Sequence, residues 1–347
     1  MNRKAFSAVI AFFLLMPLLT VAEGTQEKGG EKEEESFNIA VFVPGVVAGS
    51  PLYEDLVSGT EKAADEYTTV SVKVIEGGFN QGEWAEKLTS LAAGDYDVIV
   101  TSNPAMPSVA EEVMENFPDQ KFINLDAYLE GNPRMYTLMY NQVEQGYLVG
   151  YLGGLITKSD MKGANAQLKV GMIVAQEYPV MNKMIKPGYE KGIKAVDPDI
   201  QIDYRVIGNW YDANKAADLA HSMFDGGVDV ILTIAGGANQ GSIKAAEERG
   251  RYILYFDTED YELSPGTIAG CAVLHQERAA YETVKKAIKG NLPYGTADIV
   301  DMEGGYVDFA DDDPLYRETV SAAVREKMGK IIEELRNGEL SFPAPRF

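Results

Sequence analysis

An alternation that runs twice along the chain constrains its fold more than any other feature. Ala40–Val43, Ser71–Ile75, Asp97–Val100 and Phe122–Leu125 are short apolar runs, and the first three are each followed by a loop and a stretch with helical spacing. A polar patch, Lys158 to Asn165, interrupts the pattern. It then restarts with Val170–Val174, Gln201–Ile207, Val228–Thr233 and Tyr252–Phe256. Apolar runs this short, with no polar alternation, suit strands covered by helices on both faces, which means a parallel sheet in each half. Two α/β lobes with a ligand cleft between their facing loops is the architecture this implies.

The other segments fit around those strands. Asn141 opens a long helix to Ile156 with Gly146, Gly150, Gly153 and Gly154 along it, and small residues there predict close helix–sheet packing. Met181 to Ala195 and Asp212 to Phe224 read as helices, the second capped by Asp212. Thr101–Pro104 opens a helix through Phe117, and Ser242 to Arg249 is another. Beyond them, Gly270–Leu274 is apolar, Arg278 to Lys289 helical and Ala297–Gly305 extended, and Asp313-Pro314 precedes a final amphipathic helix to Arg336.

The first loop carries the sharpest local signal. In AVFVPGVVAGSPLYEDLVSG (Ala40 to Gly59), Ala40–Val43 is a strand and Pro44–Gly49 a turn of small residues. Ser50 reads as an N-cap, Pro51 as the first helical residue, and Glu54 and Asp55 as acids at the positive helix end. Ligands of open α/β sheets bind beyond the carboxyl ends of the strands, where this loop lies. No GxxxxGK[ST] is present, and Gly45 and Gly49 lack the GxGxxG spacing, so neither a P-loop nor a dinucleotide turn is supported. The loop offers Tyr53 instead, on the first helical turn, either facing a ligand or packed on its own lobe.

The 347 residues carry a formal net charge of −22, which argues against nucleic acid or an anionic membrane as partner. Cys271, the single cysteine, lies in apolar IAGCAVL and reads as a buried, inert thiol; no zinc pattern accompanies it. Asn2-Arg3-Lys4, an apolar Ala5–Leu19 and the small residues Thr20-Val21-Ala22 read as a secretory signal peptide over 1–22. Residues 23–36 are Gly- and Glu-rich and read as a disordered tether. No cysteine follows the apolar stretch, so an exported, periplasmic protein, soluble or loosely membrane-associated, is expected rather than a lipid-anchored one.

The order of the motifs resembles a known family. VEQGYLVGYLGGLITKS, VGMIVAQEYPVMNK, KPGYEKGIKAVDPDI, GNWYDANKAADLA, GVDVILTIAGGANQGSIKAAEERGRYILYFDTED and LSPGTIAG are similar to the basic-membrane-protein family of solute-binding proteins, the purine-nucleoside receptors of ATP-driven importers. The likeness covers nearly the whole chain after the leader. It implies a two-lobed type I periplasmic-binding-protein fold with three crossings, near Leu138, Ala269 and Val300. The first lobe is then 37–138 plus 270–299 and the second 139–269 plus 300–347. It also implies a monomeric, non-enzymatic receptor without cofactor that hands a small molecule to a permease in the cytoplasmic membrane.

The departures concern the ligand. The nucleoside receptors carry Asp-Lys-Ser-Phe-Asn in the first loop, where this chain has Gly49-Ser50-Pro51-Leu52-Tyr53. Asp257 matches their ribose-binding aspartate, but the lysine that follows it there falls near Leu274 and His275 here. The riboflavin-binding branch of the family is the closer likeness, with VFVPG at Val41–Gly45, Ser-Pro-x-Tyr at Ser50–Tyr53, SNPAMP at Ser102–Pro107, and Leu125-Asp126-Ala127-Tyr128. Riboflavin is therefore the expected transported ligand, and a purine nucleoside the alternative.

An isoalloxazine needs two flat faces and a polar edge. Tyr53 and Trp210, one from each lobe, would supply the faces, with Met181 and Met184 either padding the ligand or filling helix core. Asn103 would read the pyrimidine edge or cap its helix. Asp257 and Asn239 would take ribityl hydroxyls, because a carboxylate accepts charge-assisted hydrogen bonds from a polyol. Asp126 and Asn141 stand at strand ends near the cleft, and the same loops bring Ser50, Pro104, Tyr178 and Gly237 to the expected ligand. An anionic Asp257 would disfavour the phosphates of FMN and FAD. An enzyme is the rival class, but His221 and His275 fit no catalytic or metal arrangement. An adhesion or signalling role would leave the protein indifferent to small ligands.

Overall fold

The structure, a computed structural model, describes residues 36–347. The expected leader and all of the tether but Ser36 lie outside them. Two six-stranded sheets form the frame, as the alternation predicts. The first contains β1 (Phe37–Val43), β2 (Val70–Glu76), β3 (Val98–Ser102), β4 (Lys121–Leu125), β5 (Met135–Tyr140) and β11 (Ala297–Val300), in the order β11-β5-β4-β3-β1-β2, all parallel. The second contains β6 (Lys169–Val174), β7 (Gln201–Val206), β8 (Val230–Ile234), β9 (Tyr252–Asp257), β10 (Ile268–Leu274) and β12 (Val307–Phe309), in the order β12-β10-β9-β8-β6-β7. Only β12 runs antiparallel there. Written outward from β2 and from β7, the two orders are the same, so each strand of one lobe has a counterpart in the other. This is the type I periplasmic-binding-protein fold.

Burial follows the sequence pattern. The central strands β3, β8 and β10 are buried throughout, while the edge strands β2 and β7 are half-exposed. Ala40, Phe42, Ile99 and Phe122 of the first sheet form one core with Trp84 and Leu88 of α2 (Trp84–Ala92) and Val113 of α3 (Met106–Met114). The opposite face, under α1 (Pro51–Ala64) and α8 (Gln276–Ile288), belongs to a core that continues into the second lobe.

The helix α4 (Gln142–Thr157) is buried on every side except at Tyr151. Its glycines serve a different contact from the one expected. A Cβ on Gly150 would collide with the Tyr189 carbonyl, and one on Gly146 would lie 2.5 Å from the Ile185 carbonyl. In return, Gly188 and Gly192 of α5 (Lys186–Val196) leave no room for a Cβ against the carbonyls of Val143 and Tyr147. The small residues thus bring two helix backbones together, and only Gly153, facing Leu254 and Val230, packs on the sheet. The expected helix from Met181 begins as a wide, π-helical turn, Met181–Ile185. The final helix is broken into α9 (Pro314–Thr319) and α10 (Ala322–Arg336).

Three crossings join the lobes. The first lies at Tyr140–Gln142, where the Asn141 amide donates to the Val300 carbonyl at 2.7 Å. The second lies at Leu274–Gln276, later than the expected Ala269, because β10 pairs with β9 along its length and belongs to the second sheet. The third runs from Val300 to Val307, and Tyr306 O accepts from the His275 amide at 2.9 Å. The segment after α10 returns over this hinge. Asn141 Nδ2 donates to Phe342 O at 2.8 Å, the Phe342 ring lies 4.5 Å from that of Tyr147, and Arg346 reaches Tyr128 of the first lobe.

Because the α4–α5 contact is backbone on backbone, it cannot yield by a rotamer change. Gly150→Ala is expected to lower the melting temperature by roughly 3–8 °C, as overpacking of about 1–3 kcal/mol would. Gly329→Ala in α10, where a Cβ meets nothing within 4 Å, should leave it unchanged or raise it slightly. Thermal denaturation of both variants checks this.

Candidate functional site

All strands of the first sheet point their carboxyl ends toward the crossings, and β6 to β10 point theirs back, so the loops of the two lobes meet along one cleft. Its centre is a pair of carboxylates on equivalent strands. Asp126 directly follows β4, and Asp257 ends β9. Both have left-handed backbone, at φ 54° and 75°, a conformation that costs a residue with a Cβ about 1–2 kcal/mol. Burial raises the Asp126 carboxyl well above the usual carboxylate range, and the charge of Asp257 raises it further. Burial raises Asp257 to about 6, against the pull of Gln145, whose Nε2 donates to Asp257 Oδ1 at 3.1 Å. Among the described residues, no cationic side chain lowers either carboxylate. Asp126 Oδ1 is buried without a hydrogen-bond partner among the described residues.

Aromatic side chains border the pair on each lobe. Tyr53 is half-buried; its hydroxyl donates to Pro44 O at 3.3 Å and accepts from Asn103 Nδ2 at 3.4 Å. Burial pushes its hydroxyl up to about 12, with a smaller upward contribution from Asp126. On the second lobe Tyr178 and Trp210 have ring centroids 6.2 Å apart at 41°, and the Trp210 indole donates to Gln176 Oε1 at 3.2 Å. The Tyr178 hydroxyl is raised well above its ordinary value, first by burial and then by the charges of Asp257 and Asp126. The charges of Asp126 and Asp257 thus bear on Tyr178, that of Asp126 bears on Tyr53, and Asn103 is hydrogen-bonded to Tyr53.

Other expected residues have different work. Ser50 precedes α1, but its side chain makes no cap; Glu54 Oε1 instead accepts from the Gly49 amide at 2.9 Å. Asn103 does build its turn, with Oδ1 accepting from the Ala105 amide at 2.9 Å, and Pro104 lies within that turn. Asn141 is 4% exposed and occupied with Val300 and Phe342 at the hinge, although its Oδ1 has no partner among the described residues. Asn239 is turned inward: its Oδ1 accepts from Thr233 Oγ1 at 2.9 Å and from the Ala235 amide at 2.8 Å. Its role is to hold the turn beneath exposed Gly237, beside which the Ala238 amide donates to Trp210 O at 3.2 Å. Met181 and Met184 are fully buried and fill core. His221 faces Glu248 at 3.3 Å, and His275 sits at the second crossing, 3.9 Å from Asp308. Cys271 is buried, its thiol pushed up to about 12 by burial.

Sequence reasoning missed the glutamines that hold the site. Gln145 Nε2 binds Asp257 and also the Ala272 carbonyl at 3.1 Å, and its Oε1 accepts from Gln142 at 3.2 Å. Gln276, fully buried, accepts from the Tyr140 hydroxyl at 2.6 Å and donates to Ser102 Oγ at 2.7 Å. The signal was present: a helix apolar all round, as α4 is from Tyr147 onward, leaves Gln142, Glu144 and Gln145 no solvent-facing side to occupy. Glu144 accepts from the Met302 amide at 3.0 Å, and burial raises it to about 7.

Comparison with known proteins fits this geometry. Residues 36–340 match the Bmp family, described as ABC transporter substrate-binding protein PnrA-like. The chain belongs to this family. Among Bmp relatives, the Lactococcus lactis protein named ABC transporter nucleoside-binding protein BmpA is 22% identical over 72% of this chain and 72% of its own length. The CD4+ T-cell-stimulating antigen of Listeria innocua is 25% identical over 70% of this chain and 67% of its own. A solved solute-binding protein of an Aeropyrum pernix ABC transporter system covers 90% of this chain and 94% of its own, with a TM-score of 0.76 at 19% identity, a likeness of fold. Bmp proteins are solute-binding proteins rather than enzymes, and membership implies a small-molecule ligand, a permease partner and a location outside the cytoplasm. No helix among the described residues is long and apolar enough to cross a membrane.

Folding favours the protonated form of Asp257, whose carboxyl is raised from 3.8 to about 6. Its contribution to stability is therefore full below about pH 4 and is lost as pH rises through about 6. Asp257→Asn removes that loss and suits left-handed backbone better. It is expected to raise the melting temperature of the ligand-free protein at pH 8 by about 2–4 °C, to change it little at pH 4, and to make the decline between them shallower. Asp126, raised well above the usual carboxylate range, and Asp55, Asp229 and Glu144, raised to about 6, about 6 and about 7, keep a residual slope. Melting curves across pH 4–8 check it.

Proposed function

We propose that the cleft captures riboflavin and that the protein delivers it to the permease of an ABC importer. The observation that carries this reading is the pair Asp126 and Asp257 at the ends of equivalent strands of the two lobes, with the aromatics Tyr53 on one lobe and Tyr178 and Trp210 on the other. Two acceptors without a cation between them favour a guest that brings hydroxyl donors and no negative charge. The unpartnered Asp126 Oδ1 is suited to accept from such a hydroxyl. The aromatic rings supply flat faces for a planar ring system, worth roughly 0.5–1.5 kcal/mol beyond area burial for a stacked pair. A ribityl chain on an isoalloxazine combines both requirements. The residues Ser50-Pro51-Leu52-Tyr53 and Ser102-Asn103-Pro104 favour this guest through their likeness to the riboflavin-binding branch.

A purine nucleoside is the second reading. It also pairs a flat ring with hydroxyls, and the name of the Lactococcus lactis relative favours it. Its weakness is the first loop, which has leucine and tyrosine at Leu52 and Tyr53 in place of the phenylalanine and asparagine of nucleoside receptors.

Fluorescence titration separates the two. Riboflavin emission should be quenched on binding, FMN should bind at least about tenfold more weakly because its phosphate meets the uncompensated carboxylates, and guanosine should not displace the flavin. Trp210→Ala should weaken riboflavin about tenfold. Binding of guanosine with no flavin quenching would move the assignment to nucleosides, and equal affinity for FMN would contradict the charge argument.

A further inference from the structure

The equivalence of the two lobes extends to the loops after the edge strands. In the second lobe, the amides of Ile207 and Gly208, just past β7, donate to Val174 O at 2.9 Å and Ala175 O at 2.7 Å. In the first lobe, the amides of Gly77 and Gly78, just past β2, donate to Val43 O at 2.6 Å and Gly45 O at 2.8 Å. Gly78 and Gly208 both have positive φ, 70° and 98°. A few residues on, Asn80 and Asp212 accept from backbone amides as helix caps. Between glycine and cap, each loop carries aromatics: Trp210 and Tyr211 in the second lobe, Phe79 in the first.

Phe79 is 65% exposed, yet the backbone beneath it is fixed on all sides. Trp84 Nε1 donates to Gly78 O at 2.8 Å, Lys87 Nζ donates to Gly77 O at 2.7 Å, and the first loop holds both glycine amides. Two side chains of α2 are thus committed to presenting a loop whose tip is an apolar ring in solvent. The ring stands beside the site. A Cβ on Gly45 would lie 2.9 Å from Tyr53 Cε2 and 3.7 Å from Phe79 Cε1, so both rings flank one glycine of the first loop. Tyr178 and Trp210 form the corresponding pair across the cleft. Large exposed apolar side chains are few among the described residues, and two of them, Phe79 and Tyr211, stand in these two loops.

We infer that Phe79 is a ligand-contacting, specificity-determining residue: the first-lobe partner of Trp210, covering the outer end of a planar guest whose inner end lies by Tyr53 and the two carboxylates. This rests on the cleft taking a flat aromatic molecule. An aromatic at this place makes the first lobe's wall two rings wide, Tyr53 and Phe79, matching Tyr178 and Trp210. A wall that wide favours a three-ring guest over a two-ring one, because only the longer ring system reaches both.

The test compares Phe79→Ala, Phe79→Tyr and a distant exposed control, Leu263→Ala, in titrations with riboflavin and with guanosine. Wild type should bind riboflavin, Phe79→Ala should weaken it about 10-fold, Phe79→Tyr should stay within about 3-fold, and Leu263→Ala should match wild type. Because Phe79 is mostly exposed, ligand-free melting temperatures of the three variants should agree with wild type, so a loss of binding cannot be a loss of folding. Tight riboflavin binding that Phe79→Ala leaves unchanged would overturn this inference and leave the cleft assignment standing. If wild type binds guanosine alone, a 10-fold loss in Phe79→Ala supports the contact and an unchanged affinity overturns it. Binding of neither compound would overturn both.

Discussion

The placement of Asp126 and Asp257 at the ends of equivalent strands in the two lobes is the constraint on which the cleft is built. Each carboxylate stands at the end of a buried parallel strand, in a left-handed conformation that an aspartate adopts only at a cost. Each is half-buried, and the charge of Asp257 bears on Asp126 with no cation among the described residues to relieve it. Such an arrangement is unfavourable in isolation. The surrounding framework maintains it: two helix-covered sheets whose central strands have no exposed face, and a glutamine, Gln145, that ties Asp257 to the carbonyl of Ala272 on the next strand. Strain and desolvation held by a rigid scaffold are what pre-organise a binding site, since a guest with the right donors then relieves them.

The crossings and the cleft carboxylate Asp257 are held by neighbouring residues of one helix. α4 leaves the first crossing with Gln142, Glu144 and Gln145 in its opening turns. Gln145 reaches the cleft carboxylate Asp257, while Glu144 accepts from Met302 in the third crossing. Tyr140 and Gln276 tie the first and second crossings to Ser102, next to Asn103 in the first lobe. A change in the protonation or hydrogen bonding of Asp257 is therefore felt one turn from the hinge. The tight α4–α5 packing gives that helix a fixed seat in the second lobe.

Much of the frame was legible because its signals are local. Apolar runs such as Asp97–Val100 and Val228–Thr233 carry both their strand character and their burial in a few residues, and Asp212 caps its helix as its position implies. What the residues alone did not reveal depends on partners far along the chain. The α4 glycines were read against a sheet, but their neighbour is α5, a choice set by tertiary packing. The crossing after β10 came late because pairing with β9, not local composition, decides where that strand ends. Ser50 has the chemistry of a cap, yet Glu54 satisfies the nearby Gly49 amide. Asn239 looks free in a glycine-rich loop, and only the fold shows Thr233 and Ala235 occupying its oxygen. For the site, the residue types at Tyr53, Asn103, Trp210 and Asp257 pointed to the cleft, whereas the buried glutamines and the left-handed backbone of both aspartates emerged only in three dimensions.

The central claim is that both carboxylates accept from one uncharged guest lying between the lobes. A crystal structure of the protein grown with riboflavin tests it most directly. The predicted result is a flavin in the cleft, its hydroxyls within hydrogen-bond distance of Asp126 and Asp257 and its ring against Tyr53 or Trp210. A guest bound outside the cleft, or one that leaves both aspartates untouched, would contradict the account.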